Sequence, residues 1–181
     1  MNAAWSALND DIRSLLLSRG KSPCVAIVSP SGYAPDPAAV LRGVANLEAQ
    51  GCRVIDFTDP ARRHHRFGAT DEERMAQLAA AARHPEVEIV MALRGGYGLT
   101  RLLPDLDFSV LAQSGKLFVG HSDFTVLQMG LLACSGAVTF SAPMLCDDFV
   151  REEPSAFSLL NFWQCVLQSD HVVEGGAAGN P

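Results

Sequence analysis

Residues 87–98, VEIVMALRGGYG, decide how this chain is read. Apart from Glu88, the first seven are apolar, and several are β-branched. The next five hold three glycines. A short, continuously apolar run that stops at a glycine cluster suits a strand buried on both faces. Similar runs flank it on either side. PCVAIVS at 23–29 closes on Pro30-Ser31-Gly32, CRVIDF covers 52–57, KLFVG covers 116–120, and AVTFSAP covers 137–143. Between them lie segments with helical spacing. Residues 37–50 place Val40, Leu41, Val44 and Leu47 on one stripe before Gly51. Thr70 and Glu73 form a capping-box pattern that opens an Ala-rich helix ending at Pro85. A short helix is expected around 99–103. Another covers 122–134 and should be buried, being apolar on nearly all sides. A last helix has Pro154 near its first turn and runs to about Gln168. Strands alternating with helices predict an α/β fold: a mostly parallel sheet with helices on both faces. The division expected is an N-terminal extension at 1–22, an α/β domain at 23–168, and a linker or the start of a truncated further domain at 169–181. The tail HVVEGGAAGNP begins like another strand.

The bulk numbers narrow the function classes. The chain has 181 residues, 48% hydrophobic and 19% charged, with a net charge of -6. That composition is globular. The acidic balance argues against a nucleic-acid footprint, which needs a basic face. No run reaches the roughly 18 apolar residues of a membrane span. The N-terminus carries Asp10 and Asp11 and lacks the positive region of a secretory signal, so a cytoplasmic protein is expected. The five cysteines are scattered, without a CxxC pair, and read as small core residues in a reducing compartment. No metal-ligand spacing is present, so neither metal nor cofactor is expected.

In parallel sheets ligands bind at the carboxyl ends of strands, and two such ends stand out. One is RGGYG, 94–98. Its adjacent glycines permit bare N–H groups to face a ligand, and one of these could serve as an oxyanion donor. A plain turn is the alternative. Arg94 could hold a substrate carboxylate or tie the loop down. The other is GHSD, 120–123, where a strand turns sharply into a helix. Ser122 there is either a nucleophile at an elbow or, like Asp123, a helix cap. The strict G-x-S-x-G pattern is absent, since Phe124 replaces its second glycine. His121 precedes Ser122, so its ring is expected to point away from the hydroxyl. No histidine with a carboxylate partner is evident to act as base. PARRHHRF, 60–67, is a basic loop in an acidic protein: a solvated surface, or an attractor of anionic substrate.

VMALRGGYG, LLPDLDF and LFVGHSDFTVL, in that order and spacing, resemble the N-terminal domain of the LD-carboxypeptidases, serine peptidases that trim murein tetrapeptides. FGATDEERMAQL resembles that family's helix-entry segment, and VEGGAAGN the Gly-rich stretch where its second domain begins. The resemblance covers roughly 23–180. It implies a Ser-His-Glu hydrolase with Ser122 as nucleophile and the backbone N–H groups of Gly96 and Asp123 as oxyanion hole. Arg94, Gly95 and Tyr97 would then line the substrate site. The family's Glu and His belong to its C-terminal domain, after Pro181. The usual aromatic before the nucleophile is His121 here. The implied reaction removes terminal D-alanine from a muropeptide in peptidoglycan recycling, by an acyl-enzyme route. The related microcin-immunity hydrolases, which cleave aminoacyl-nucleotide conjugates, share the motifs. A non-catalytic peptide-binding module and a nucleotide-binding domain are the remaining alternatives. The family also suggests a homodimer, while the acidic balance and the lack of an apolar span point to neither a nucleic-acid nor a membrane partner.

Overall fold

Along each central strand, alternate residues point to opposite faces, and each face meets its own layer of helices. The computed structural model describes residues 2–175. Its strands are β1 (Cys24–Val28), β2 (Arg53–Asp56), β3 (Ile89–Ala92), β4 (Leu117–Gly120) and β5 (Phe140–Ser141). All pair in parallel, in the order β2-β1-β3-β4-β5. The helices are α1 (Ala3–Ser18), α2 (Pro37–Ala49), α3 (Asp71–Arg83), α4 (Leu99–Leu102), α5 (Phe108–Gln113), α6 (Thr125–Ser135), α7 (Leu145–Asp148) and α8 (Ala156–Leu167).

Val25 and Ile27 of β1, Ile89 and Met91 of β3, and Val119 of β4 pack with α1, α2 and α8. Ala26, Val28, Val90, Ala92 and Phe118 face the other way, against α3, α4, α5 and α6. The expected α/β architecture is therefore present, with both faces of the parallel sheet covered. The strand order reverses between β1 and β3. That is the switch point where the loops after neighbouring strands part and leave a crevice.

Several local expectations are met in detail. Thr70 Oγ1 accepts from the Glu73 N–H while Glu73 accepts from the Thr70 N–H, so the capping box is complete. Pro37 opens α2 behind Asp36, which caps it. Others are corrected. The helix expected over 122–134 starts at Thr125, after a single 3-10 turn at Ser122–Phe124. It is not buried all round: Leu127, Gln128 and Leu131 face inward, whereas Met129 and Leu132 are each 52% exposed. Only one stripe of this apolar helix reaches the sheet. Cys134, on its outer side, is exposed, unlike buried Cys24 and Cys52. The fifth strand shrinks to two residues, and 171–175 form no strand. The rest of the Gly-rich tail, 176–181, lies outside the described residues.

Helix α1, within the expected extension, buries Trp5, Leu8, Ile12 and Leu16 in the same core as β1 and β3. Its polar residues join in. Asn9 bonds Asn46 of α2 at 3.2 Å, and Gln50 links Asn9 to the buried Trp163 of α8. These bonds satisfy amides that would otherwise be costly to bury.

Candidate active site

The site is built where β1, β3 and β4 end. Ser122 follows β4 by two residues and holds φ +59°, a left-handed conformation that a side chain adopts only at a cost. Ser122 is exposed, and its Oγ hydrogen-bonds no group among the described residues. The side chain caps neither the 3-10 turn nor α6. Of the two local readings, the cap is the one that this geometry does not support.

Two close approaches fix the elbow. A Cβ on Gly120 would stand 2.7 Å from the Phe124 ring and 3.1 Å from Ala92 Cβ, so the strand can turn this tightly only with glycine there. A Cβ on Gly95 would stand 2.8 Å from Ser122 Oγ. The serine hydroxyl therefore lies directly against the backbone of the RGGYG loop, and the structure brings the two sequence motifs together. Gly95→Ala should push the hydroxyl aside. An ångström of misplacement at a reacting atom costs about 100-fold in rate. We expect a loss of that size in serine labelling by a phosphonate, with little change in far-ultraviolet circular dichroism.

Asp123 has a role the sequence did not suggest. Its Oδ2 accepts the Leu99 N–H at 3.0 Å and so caps α4, since Gly98 at the cap position has no side chain to do so. This bond ties the elbow to the end of RGGYG. Meanwhile the N–H groups of Gly96 and Asp123 donate to no acceptor among the described residues. Gly96 and Tyr97 are exposed and Gly95 is buried. Arg94 is half-buried and donates to the Tyr33 carbonyl at 3.3 Å, so it does tie its loop down. The Gly32 N–H donates to the Gly95 carbonyl at 3.1 Å, which joins the loops after β1 and β3 across the switch point.

Arg74 is the residue that sequence reasoning missed most clearly. It is fully buried, yet its guanidinium reaches the carbonyls of Pro30 and Gly98 and the Asp71 carboxylate. The signal was available: Arg74 shares one helical stripe with Leu78, Ala81 and Ala82. A charge on the core stripe must find partners there.

The expectation that no histidine has a carboxylate partner is corrected. His121 Nε2 lies 3.5 Å from Asp148 Oδ2, because α7 presents Asp148 to the end of β4. Asp148 is shared with Arg151 at 3.2 Å and with the Met144 N–H at 3.0 Å. No hydrogen bond connects this pair to Ser122 Oγ. A groove of about 410 Å³ opens beside it, lined by His121, Phe140, Phe157, Phe162 and Val173 among others. Among the described residues no three His, Cys, Asp or Glu side chains cluster to hold a metal ion. No helix among them is long and apolar enough to cross a membrane.

The model of the LD-carboxypeptidase N-terminal domain matches residues 25–142. The chain belongs to the LD-carboxypeptidase family. A solved muramoyltetrapeptide carboxypeptidase from Oxalobacter formigenes is similar at 53% identity and a TM-score of 0.74, over 78% of this chain and 47% of that one. The probable murein peptide carboxypeptidase of Bacillus subtilis is 33% identical over 150 residues, 83% of this chain and 47% of the relative. The microcin C7 self-immunity protein MccF of Escherichia coli is 28% identical over 113 residues, 62% of this chain and 33% of MccF. The chain spans about half the length of the two carboxypeptidase relatives and a third of MccF.

Proposed function

We propose that this chain is the nucleophile-bearing part of a serine LD-carboxypeptidase that releases terminal D-alanine from murein tetrapeptides. The observation that carries the reading is the contact of Ser122 with Gly95. An exposed hydroxyl that hydrogen-bonds nothing among the described residues stands against a loop whose Gly96 N–H is likewise unbonded among them, at a strained elbow. In the proposed reaction Ser122 Oγ attacks the scissile carbonyl. The developing oxyanion is held by the N–H groups of Gly96 and Asp123. D-Alanine leaves, and water releases the acyl group. Arg94, Gly95 and Tyr97 line the side on which the peptide lies. The unit at 23–168, with α1 packed on it, carries these groups, and 169–181 is a linker or the start of a further domain. The resemblance implies a His and a Glu as base and orienter, and we place them in the half of the relatives that this chain does not span. A cytoplasmic, peptidoglycan-recycling role, with no nucleic-acid, membrane or cofactor partner, and a homodimeric assembly belong to the same proposal.

The test is chromatographic release of D-alanine from murein tetrapeptide by the whole protein that carries this chain. Release is expected, and none from the 181-residue chain alone. Turnover by the chain alone would place the base within it, and His121→Ala would then show whether the His121–Asp148 pair supplies it. Likeness to MccF supports a second reading, hydrolysis of an aminoacyl-nucleotide conjugate by the same serine. Preference for such a conjugate over the tetrapeptide would favour it.

A further inference from the structure

The basic loop at 60–67 is not a free solvated segment. Phe67 is buried and pairs with His64 in both directions, the N–H of each donating to the carbonyl of the other at 2.9 and 3.3 Å. His65 takes φ +54° to close this turn. Phe67 also bridges to Gly32, and the Tyr33 N–H donates to the Arg66 carbonyl at 3.4 Å. Gly32 is the residue whose N–H holds the Gly95 carbonyl beneath Ser122. The loop is therefore bonded to the same backbone that supports the candidate nucleophile.

Its arginines divide into two groups. Arg62 pairs with Asp59 and Glu73, as Arg74 and Arg101 pair with Asp71. Arg63 and Arg66 pair with no carboxylate among the described residues, although the chain has 20 acidic residues and a net charge of -6. They are held by aromatic rings instead. The Arg63 guanidinium lies 3.8 Å from the Tyr33 ring centroid, and its Nε donates to the His65 carbonyl at 3.0 Å. The Arg66 guanidinium lies 6.0 Å from the Tyr97 ring centroid, and Tyr97 belongs to the RGGYG loop. A ring face orients a guanidinium without neutralising it, which leaves its N–H fork available to an anion.

We propose that Arg63 and Arg66 form a rim that binds a carboxylate of the peptide substrate other than the terminal one. Arg94 adjoins Gly95, the residue against which the Ser122 hydroxyl lies. Arg63 and Arg66 are oriented by the Tyr33 and Tyr97 rings, and Tyr97 follows Gly95 by two residues, which suits them to a group several bonds from the scissile carbonyl. The inference rests on the peptidase reading of Ser122, and its test separates the two.

The whole protein and its Arg63→Gln, Arg66→Gln double variant are assayed on murein tetrapeptide and on the same peptide with its non-terminal carboxylates amidated. With the free acid, the double variant should raise KM at least tenfold while kcat stays within twofold. With the amidated peptide, wild type and variant should have KM values within twofold of each other. Equal effects on both peptides, or no effect on either, would overturn the rim. If the wild type releases no D-alanine, the peptidase reading fails, and the rim is read by calorimetry on the same two peptides. A tenfold preference for the acid that the double variant abolishes supports it, and no preference overturns it. Competition by inorganic phosphate that is stronger than by free carboxylates would assign the rim to phosphate instead, which also overturns the proposal.

Discussion

Ser122→Ala in the whole protein should lower kcat for D-alanine release at least about 1,000-fold, with KM little changed, because only the attacking atom is removed. Covalent labelling by a serine-directed phosphonate should vanish. The fold should not suffer, since Ser122 is exposed and its Oγ has no hydrogen-bond partner among the described residues. Full-rate turnover by the alanine variant would remove Ser122 from the chemistry altogether. A second substitution separates an elbow from an ordinary surface serine. Ser122 holds φ +59°, which costs about 1–3 kcal/mol in a residue with a Cβ and little in glycine. Ser122→Gly should therefore be more stable than Ser122→Ala by about 1 kcal/mol, or about 2–4 °C in Tm for a chain of this size. Both should be inactive. A serine kept where glycine would be more stable is what a reactive position requires.

What could be read from sequence alone follows from the range of each interaction. The strands were legible because a doubly covered sheet demands uninterrupted apolar runs, as IVMA of β3 supplies. The elbow and the glycine loop were each visible as local turn chemistry. Their contact was not, because the placement of Gly95 under Ser122 depends on β3 and β4 being neighbours in register. The same holds for Asp123. As a residue beside a helix start it reads as a cap for α6, but the end of RGGYG lies closer and takes its carboxylate. His121 and Asp148 are 27 residues apart in sequence and meet only because the two-residue β5 returns the chain beside β4 before α7. The one-sided burial of α6 has a related reason. Apolar composition shows what a helix can bury, whereas the sheet edge decides which stripe it does bury.

Arg74→Ala should be the most destabilising single change at the site. Arg74 is wholly buried, and its donors reach Pro30 after β1, Gly98 after β3, and Asp71 on its own helix. Removing it strands the buried Pro30 carbonyl, leaves the Gly98 carbonyl with the Arg101 N–H alone, and takes one partner from a carboxylate that is only 27% exposed. Breaking a buried pair of this kind costs about 3–5 kcal/mol. Arg101 moderates the loss because it also binds Asp71, at 2.7 Å, so the lower end of that range is expected, about 6–12 °C in Tm. Arg74→Lys should recover only part, since an ammonium cannot reproduce the planar fork that spans three acceptors. The effect should depend on pH with a definite sign. The hydrogen bond from Arg101, then that from Arg74, holds the Asp71 carboxyl below its ordinary value of 3.8. A carboxyl depressed in the folded state stabilises the fold above its unfolded pKa, and this stabilisation fades as pH falls through the lowered value. The gap in Tm between wild type and Arg74→Ala should thus be widest near neutrality and narrow below about pH 4. A gap that stayed constant from pH 7 to pH 3 would mean that the two carbonyl bonds, and not the ion pair, carry the contribution of Arg74. Phosphonate labelling of Ser122 should fall in the same variant, because Gly98 ends the loop on which the serine hydroxyl rests.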